Sequence, residues 1–436
     1  MSQTIHNPDQ YMSDLRQILA QGRKRLGLLL GAGAPASILV DKSTGNLKSD
    51  GVPLIAVTAE ITQNVLTALS SKYGSVLNAL VSDLGGNPNI EQILSRVRML
   101  GVALGKSPVH NLDGDGFTQL GEAICNEIGK AVDVRLPTQP NAFSELAGWI
   151  GGTARDHAFE IFTPNYDLLI EEAFERAHIP YFDGFCGSFE PFFDPATIAN
   201  ADLPPRWARL WKLHGSLGWD ENSRGEIVRG KGTTATRCIF PTDQKHEQTQ
   251  KLPYAAFFER LRKFLQLPDS LLMTCGFSFS DTHLVAVIDE CLAANRAAAV
   301  IAFQFGSISL ETAASRLAHG RANMSVYARD GAVINCVEAQ WRPGDLPHPQ
   351  WAPIRTSYWG ASQSSNDACF LLGDFSVFAR YVALTRAEQA QSIEPAVQMN
   401  RSYERRTNPP RLCWSSYWLH CQRKTGRVCF LWHGNY

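Results

Sequence analysis

The sequence predicts an α/β fold, with a Rossmann-like, mostly parallel sheet, helices on both faces, a helical insertion and an irregular C-terminal segment. Apolar runs of strand length alternate with amphipathic helical runs up to about residue 340, which is typical of a parallel sheet. A glycine turn follows the first apolar run, as it does in nucleotide-binding βα units. We therefore predict one domain over residues 1–340 and an irregular segment over 341–436 that binds a partner or is partly disordered.

The first part of the chain predicts one strand and a layer of helices. "YMSDLRQILAQGRKR" has helical periodicity with Ser13 as its cap, and "LGLLL" (26–30) is a buried strand. Residues 55–135 are mostly helical in pattern and form the predicted insertion. Within the insertion, "NIEQILSRVRMLGVAL" carries an apolar stripe behind Asn87 or Asn89 as the cap.

The second part of the chain supplies most of the sheet. Its predicted strands are "HAFEIFT" (157–163), "RLWKLHG", "SLLMTCG", "AAAVIAFQFG" and "MSVYARDGAVIN". Its predicted helices are "DLLIEEAFERAH" (167–178), "YAAFFERLRKFLQL" and "DTHLVAVIDECLAAN". Residues 204–250 contain loop-rich stretches.

Composition narrows the class of protein. The chain has 41 Lys and Arg against 42 Asp and Glu, which argues against electrostatic binding of nucleic acid or anionic lipid by the chain as a whole. The polar N-terminus and the lack of a long uncharged apolar run predict a cytoplasmic protein without a membrane span. None of the ten cysteines forms a C-x-x-C pair, which favours reduced thiols over a zinc ribbon.

The glycine turn "GAGAPAS" fits the pattern G-x-G-x-x-[GA] with Gly31, Gly33 and Ala36. Such a turn lets backbone amides approach a pyrophosphate, although small residues after a strand also form ordinary tight turns. A dehydrogenase of this class needs an acid at the end of its second strand, about twenty residues further on. Asp50 has the right spacing but lies in the loop-like "KSDGVP", so a redox Rossmann enzyme is disfavoured.

Polar side chains follow three later strands. Asn165 and Asp167 follow "FTP", His214 lies in "LHGS", and Gly276 and Ser278 begin "GFSFSDTH". Ligands of open α/β sheets bind at the carboxyl ends of the strands, where these residues are expected. Three of these residues also have a purely structural interpretation: Asp167 as a helix cap, His214 as a core imidazole and Ser278 as a turn stabiliser. Capping does not explain Asn165, which follows Pro164.

In this order, GAG, T-x-N-Y-D, L-H-G-S and G-F-S-F-x-D-x-H resemble the motifs of the sirtuin-like superfamily, and most closely its bacterial branch in anti-phage defence proteins. "NIEQILS", "PYAAFFERL" and "YARDGAVIN" add to the likeness, which covers roughly residues 20–340. The resemblance implies that NAD binds across a Rossmann-like sheet. It implies that Gly31, Ala32 and Gly33 hold the NAD phosphates and that Gly276 and Ser278 contact the adenosine side.

The resemblance also implies the catalytic residues. Asn165 and Asp167 would flank the nicotinamide ribose, and His214 would be the base. Protein-deacylating sirtuins carry a zinc ribbon of two C-x-x-C pairs and a Pro-Asp-Phe-Arg segment, and this sequence contains neither. We therefore expect no zinc, and we expect NAD hydrolysis to nicotinamide and ADP-ribose. A non-catalytic NAD or ADP-ribose sensor remains the alternative, and a deacylase is a weaker one.

Partners are expected from the same resemblance. An enzyme that depletes NAD must be controlled, and relatives assemble into oligomers or pair with a ring-forming ATPase or a nucleotide-sensing subunit. We therefore predict a homo-oligomer with a second protein subunit. Residues 401–436 carry seven Lys and Arg but only one acid, so this tail could also contact nucleic acid or be an unordered end.

Overall fold

The structure is a computed structural model that describes residues 4–200, 203–230, 252–346, 348–362 and 365–385. The strands within these residues are β1 (Ile5–His6), β2 (Arg25–Leu30), β3 (Leu39–Val40), β4 (Val52–Pro53), β5 (Glu160–Thr163), β6 (Tyr181–Phe182), β7 (Phe185–Cys186), β8 (Phe192–Phe193), β9 (Ala208–Lys212), β10 (Trp219–Glu221), β11 (Ile227–Arg229), β12 (Ser270–Cys275), β13 (Ala299–Phe303), β14 (Met324–Tyr327), β15 (Gly331–Ile334), β16 (Val337–Trp341), β17 (Trp359–Ser362) and β18 (Ser365–Phe370).

The helices have a wide range of lengths, and a 3₁₀ turn covers Pro349–Trp351. They are α1 (Pro8–Ala20), α2 (Gly33–Ala36), α3 (Thr58–Asp83), α4 (Ile90–Ala103), α5 (Gly114–Val132), α6 (Ala142–Gly152), α7 (Leu169–Arg176), α8 (Pro195–Asn200), α9 (Tyr254–Gln266), α10 (Thr282–Ala294), α11 (Thr312–Gly320), α12 (Ala352–Thr356) and α13 over 375–385.

A ten-stranded sheet forms the centre of the fold, in the order β1-β16-β15-β14-β13-β12-β2-β5-β9-β6. Neighbouring strands are parallel except where β15 pairs antiparallel with β14 and β16. This confirms the predicted mostly parallel sheet. A smaller antiparallel sheet has the order β10-β11-β8-β7, and two of its strands, β10 and β11, lie within residues 204–250, where the sequence predicts loop-rich stretches.

Helices cover both faces of the central sheet, which explains why its inner strands are continuous apolar runs. Leu28 of β2 belongs to one buried cluster, with residues of α1 and α3–α7. Leu29 belongs to a second cluster on the opposite face, with residues of α9, α10 and α11. Successive side chains of a strand point to opposite faces, so "LGLLL" contributes side chains to both buried clusters.

The helical insertion predicted over 55–135 consists of α3, α4 and α5. The structure selects Asn89 over Asn87 as the cap of α4, because the Asn89 side chain accepts from Gln92 N and Gln92 caps it in return. This capping box fixes the start of the helix.

The predicted start of α1 is wrong. The helix begins at Pro8, and Asn7 Oδ1 accepts from Asp9 N at 3.0 Å, so Ser13 lies in the second turn rather than at the cap. Proline is favoured at the first helical position because its missing N–H would find no intrahelical acceptor there.

Residues 349–385 are held against α1 through a buried carboxylate. Arg355 donates to Asp9 through Nε at 2.9 Å and Nη2 at 2.6 Å, and Tyr358 donates to Asp9 Oδ1 at 2.6 Å. Helix α13 adds buried Phe375, Phe378 and Tyr381 to the first cluster. The domain boundary near residue 340 stays a prediction, and the basic tail over 401–436 lies outside the described residues. Among the helices that are described, none is long and apolar enough to cross a membrane.

Candidate functional site

The four sequence motifs meet at one edge of the sheet. Strands β12, β2, β5 and β9 are consecutive neighbours, and Cys275 pairs with Leu30 while Thr163 pairs with Lys212. The chain therefore leaves all four strands at the same level. Strand β5, which the chain forms after β2, pairs with one edge of β2, and β12, which comes later in the chain, pairs with the other edge. Strand β2 therefore lies at the topological switch point, where open α/β sheets bind ligands.

The turn after β2 packs directly against the turn after β12. Gly31 N donates to Cys275 O at 3.1 Å and Gly33 N donates to Gly276 O at 2.9 Å. A Cβ added to Gly31 would lie 2.2 Å from Gly276 O, so this approach requires glycine. Two of the three amides predicted to hold phosphates are thus used within the protein. The half-buried Ala32 N–H donates to no described residue, so it is the one amide of the three that is available to a ligand.

Asn165 is tied to the glycine turn. Its side chain Nδ2 donates to Gly31 O at 3.1 Å, and its backbone N donates to Thr163 Oγ1 at 3.1 Å. The Thr163 hydroxyl in turn donates to Leu30 O at 2.8 Å. With Nδ2 engaged, the Oδ1 atom of this half-buried amide is the group left to accept from water or a ligand hydroxyl.

Asp167 is buried and contacts the start of the following helix. Its Oδ1 accepts from Leu169 N, the first residue of α7, at 3.1 Å, although Leu168 and not Asp167 occupies the cap position of that helix. Lys212 Nζ donates to Asp167 O and lies 3.2 Å from Glu171 Oε1. Burial raises the pKa of the Asp167 carboxyl, and the positive charge of Lys212 opposes that shift. Contact with a ribose stays a prediction for this residue.

His214 is buried at the end of β9, with only 4% of its surface exposed. Its Nε2 lies 2.9 Å from Asp281 Oδ2, and the Phe258 ring stacks on the imidazole with centroids 6.3 Å apart. Asp281 Oδ1 accepts from His283 N and Leu284 N, so the same carboxylate caps α10. The Asp281 side chain is therefore held both by the first turn of α10 and by His214.

Asp281 is the residue that sequence reasoning missed. The sequence presented it as a helix cap after "GFSFS", with no connection to His214. The pairing arises because the loop after β12 passes over the carboxyl edge to the end of β9, two strands beyond β2. No local signal in the sequence links the two residues, because an acid before a helix is explained as a cap.

Gly276 and Ser278 differ in their surroundings. Gly276 has a φ of 65°, and a Cβ there would lie 2.5 Å from Ala34 N, so the turn requires glycine. Ser278 is exposed, and its Oγ lies 2.8 Å from Ser280 Oγ. The buried Phe277 and Phe279 flank it and anchor the loop. The predicted adenosine contacts of Gly276 and Ser278 remain predictions.

The edge thus carries one connected set of groups. Asn165 contacts the Gly31 turn, Gly33 contacts Gly276, and His214 contacts Asp281 from the same loop. Asn165 and His214 each lie two residues beyond the paired Thr163 and Lys212, so they follow adjacent strands in register. Their proposed chemical roles stay predictions.

Asp50 does not belong to this edge. It lies in the turn between β3 and β4 with 79% of its side chain exposed, and its nearest ion-pair partner is Lys48 at 3.9 Å. A ribose-binding acid at a strand end is therefore not supplied by this residue. Within the described ranges, no group of three His, Cys, Asp or Glu side chains is placed to hold a metal ion.

Comparison with known proteins agrees with the resemblance for part of the chain. A family model described as "SIR2-like domain" matches residues 160–322, which include Asn165, His214 and Asp281. The chain is similar to a solved structure from work on the mechanism and regulation of Sir2 enzymes, with 13% identity, a TM-score of 0.31, and coverage of 66% of this chain and 83% of that one. It is also similar to a Sir2 homologue crystallised with NAD, with 13% identity, a TM-score of 0.28, and coverage of 75% and 90%. No curated protein matches the chain.

Proposed function

We propose that this chain is an NAD⁺ hydrolase that cleaves the nicotinamide–ribose bond to give nicotinamide and ADP-ribose. The observation that carries the proposal is the meeting of Asn165 with the Gly31 turn, beside a strand-end His214 held by Asp281. A non-catalytic nucleotide sensor has no need of an imidazole paired with a carboxylate. The match of residues 160–322 to a SIR2-like domain supports NAD as the substrate.

The reaction needs little activation of its leaving group. When the bond between C1′ and the nicotinamide nitrogen breaks, its electron pair neutralises the pyridinium and leaves an oxocarbenium-like ribose. Water then adds to C1′ and loses a proton. The protein must therefore orient the water, accept that proton and stabilise positive charge.

The residues at the carboxyl edge suit these tasks. Asn165 Oδ1 would orient the attacking water, because its Nδ2 is already committed to Gly31 O. His214 would accept the proton from water or a ribose hydroxyl, and Asp281 would hold the imidazole and stabilise its charged form. Asp167 would contact the ribose or favour the developing cation, and its buried contacts also fix the Asn165 loop. In the turn Gly31, Ala32 and Gly33, the Ala32 amide would donate to the phosphates while the other two amides hold the turn, and Gly276 and Ser278 would lie on the adenosine side.

We further propose that the activity depletes NAD during anti-phage defence in the cytoplasm. An NAD-consuming enzyme harms its own cell unless it is controlled, so we expect activation within a homo-oligomer or by a second subunit, either a ring-forming ATPase or a nucleotide-sensing protein. The part of the chain beyond residue 340, including the basic tail over 401–436, is where we expect that partner or a nucleic acid to bind.

The direct test is to incubate the purified full chain with NAD⁺, alone and with the product of the adjacent gene, and to quantify products by chromatography. We expect stoichiometric nicotinamide and ADP-ribose, with no change in reduced-nicotinamide absorbance. An acylated peptide should not alter the products, whereas a deacylase would require it. Recovery of bound but intact NAD⁺ under both conditions would support the sensor and contradict the hydrolase.

A further inference from the structure

A cavity lies at the amino-terminal edge of the central sheet, opposite the edge that carries Asn165 and His214. Its volume is about 490 Å³, and it is lined by the first residues of β2 and β5, by Arg209 near the start of β9, and by the last turns of α9. The glycine turn lies at the other end of β2, six residues away, which corresponds to roughly 20 Å of strand. This cavity is therefore separate from the proposed NAD site.

The deepest acid of the cavity is already neutralised. Glu160 has 3% of its surface exposed and accepts from Arg260 Nε at 2.7 Å, from Arg260 Nη2, and from Trp211 Nε1 at 2.8 Å. Both carboxylate oxygens are thus engaged with one guanidinium. Little of the Glu160 charge is left to balance other cations in the cavity.

Three further cations line the cavity. The Arg209 side chain is 8% exposed, lies 3.9 Å from Glu160 Oε1 and donates to Leu203 O at 3.5 Å. Arg25 Nη1 lies 3.2 Å from His157 Nδ1. Within the described part of the chain, neither Arg25 nor Lys263 forms an ion pair, although both line the cavity.

The cavity therefore carries an excess of positive charge. Among the described residues of the lining, Arg25, Arg209, Arg260 and Lys263 face two carboxylates, Asp156 and Glu160. Burial and the neighbouring Arg25 charge lower the pKa of His157, so that its imidazole is neutral at pH 7. Four positive charges against two negative charges leave a net charge of about +2, which favours an anion.

We propose that this cavity binds a small phosphorylated metabolite through Arg25, Arg209 and Lys263. Guanidinium groups bind phosphate oxygens through paired N–H donors, and a volume of this size accommodates a compound as large as a sugar phosphate. Among the described residues, His157 is the one aromatic side chain that lines the cavity, so charge and hydrogen bonding rather than base stacking select the ligand. The proposal does not depend on NAD hydrolysis, because its test measures binding.

The test uses inorganic pyrophosphate and ribose 5-phosphate as probes, with citrate as a carboxylate of similar charge. Binding to the full chain is measured by calorimetry at constant ionic strength. Arg25→Gln and Lys263→Gln remove the two rim cations, and the neighbouring Lys24→Gln and Arg262→Gln remove cations that pair with Asp269 and Glu290 outside the cavity. The four variants are matched in charge, and none of them removes a member of the Glu160–Arg260 pair.

We expect pyrophosphate and ribose 5-phosphate to bind the unaltered chain and both control variants equally, and to bind more tightly than citrate. Arg25→Gln and Lys263→Gln should each weaken phosphate binding by about tenfold or more, as expected for loss of one charge-assisted contact. If all variants bind the probes alike, the phosphate site is elsewhere, for example at the glycine turn, and the proposal is wrong. Absence of binding at millimolar probe, or a preference for citrate, contradicts it as well.

Discussion

Replacing His214 with alanine is expected to lower kcat for nicotinamide release by about 10²–10⁴-fold, the usual contribution of a general base. The imidazole is buried at the end of β9 and its Nε2 lies 2.9 Å from Asp281 Oδ2, so alanine removes both the proposed base and the group that the carboxylate holds. KM for NAD should change little, because the proposed role is proton acceptance rather than binding. Steady-state kinetics of nicotinamide release, with the activating partner where one is needed, measures both quantities.

His319→Ala is the matched control. This histidine lies on α11 with 44% of its side chain exposed, 3.5 Å from Glu338, and its loss should leave kcat unchanged. Asp281→Asn should fall between the two, with kcat lowered by roughly 10–100-fold through loss of one charge-assisted contact. Asparagine is as good a helix cap as aspartate, so α10 should keep its start. Full turnover by His214→Ala would remove His214 from the mechanism.

Replacing Glu160 with alanine is expected to lower the free energy of unfolding by about 3–5 kcal/mol, because it leaves a buried charge without its partner. Arg260 would lose both of its contacts to the carboxylate, and Trp211 would lose its acceptor at 2.8 Å. Glu160 joins the start of β5 to α9, so the loss should also loosen the two strands that lead to Asn165 and His214. Urea unfolding at pH 7 measures the change.

Glu290→Ala serves as the control because it removes the partner of another arginine on the same helix. Glu290 is 61% exposed and lies 2.6 Å from Arg262, so the expected cost is about 0–1 kcal/mol. Equal losses for Glu160→Ala and Glu290→Ala would mean that the buried pair does not organise this part of the sheet.

Local patterns in the sequence are sufficient to predict the main features of the fold. Buried strands such as "LGLLL" and "SLLMTC" are short apolar runs between turn residues, and their alternation with helices predicts a parallel sheet. Because parallel strands run in the same direction, the residues that follow each strand are expected at one edge of the sheet. For this reason Asn165, His214 and the two glycine turns could be expected near one another before any coordinates were known.

Contacts between distant residues could not be predicted in this way. Glu160 and Arg260 are 100 residues apart, and nothing in either local pattern marks them as a pair. The same holds for the contact of Asp281 with His214, because an acid before a helix is fully explained as a cap. The start of α1 is predicted wrongly for a different reason. Asn7-Pro8 is a local signal for the start of a helix, but the prediction places the cap at Ser13 instead.

A crystal structure of the full chain with carba-NAD, an analogue whose ribose ring cannot form the oxocarbenium-like state, would show directly where the dinucleotide binds. We expect the pyrophosphate beside the Gly31–Ala32 turn and the nicotinamide ribose in contact with both Asn165 and His214. Density for the analogue at the amino-terminal cavity, or at the carboxyl edge with its ribose away from His214, would contradict this placement.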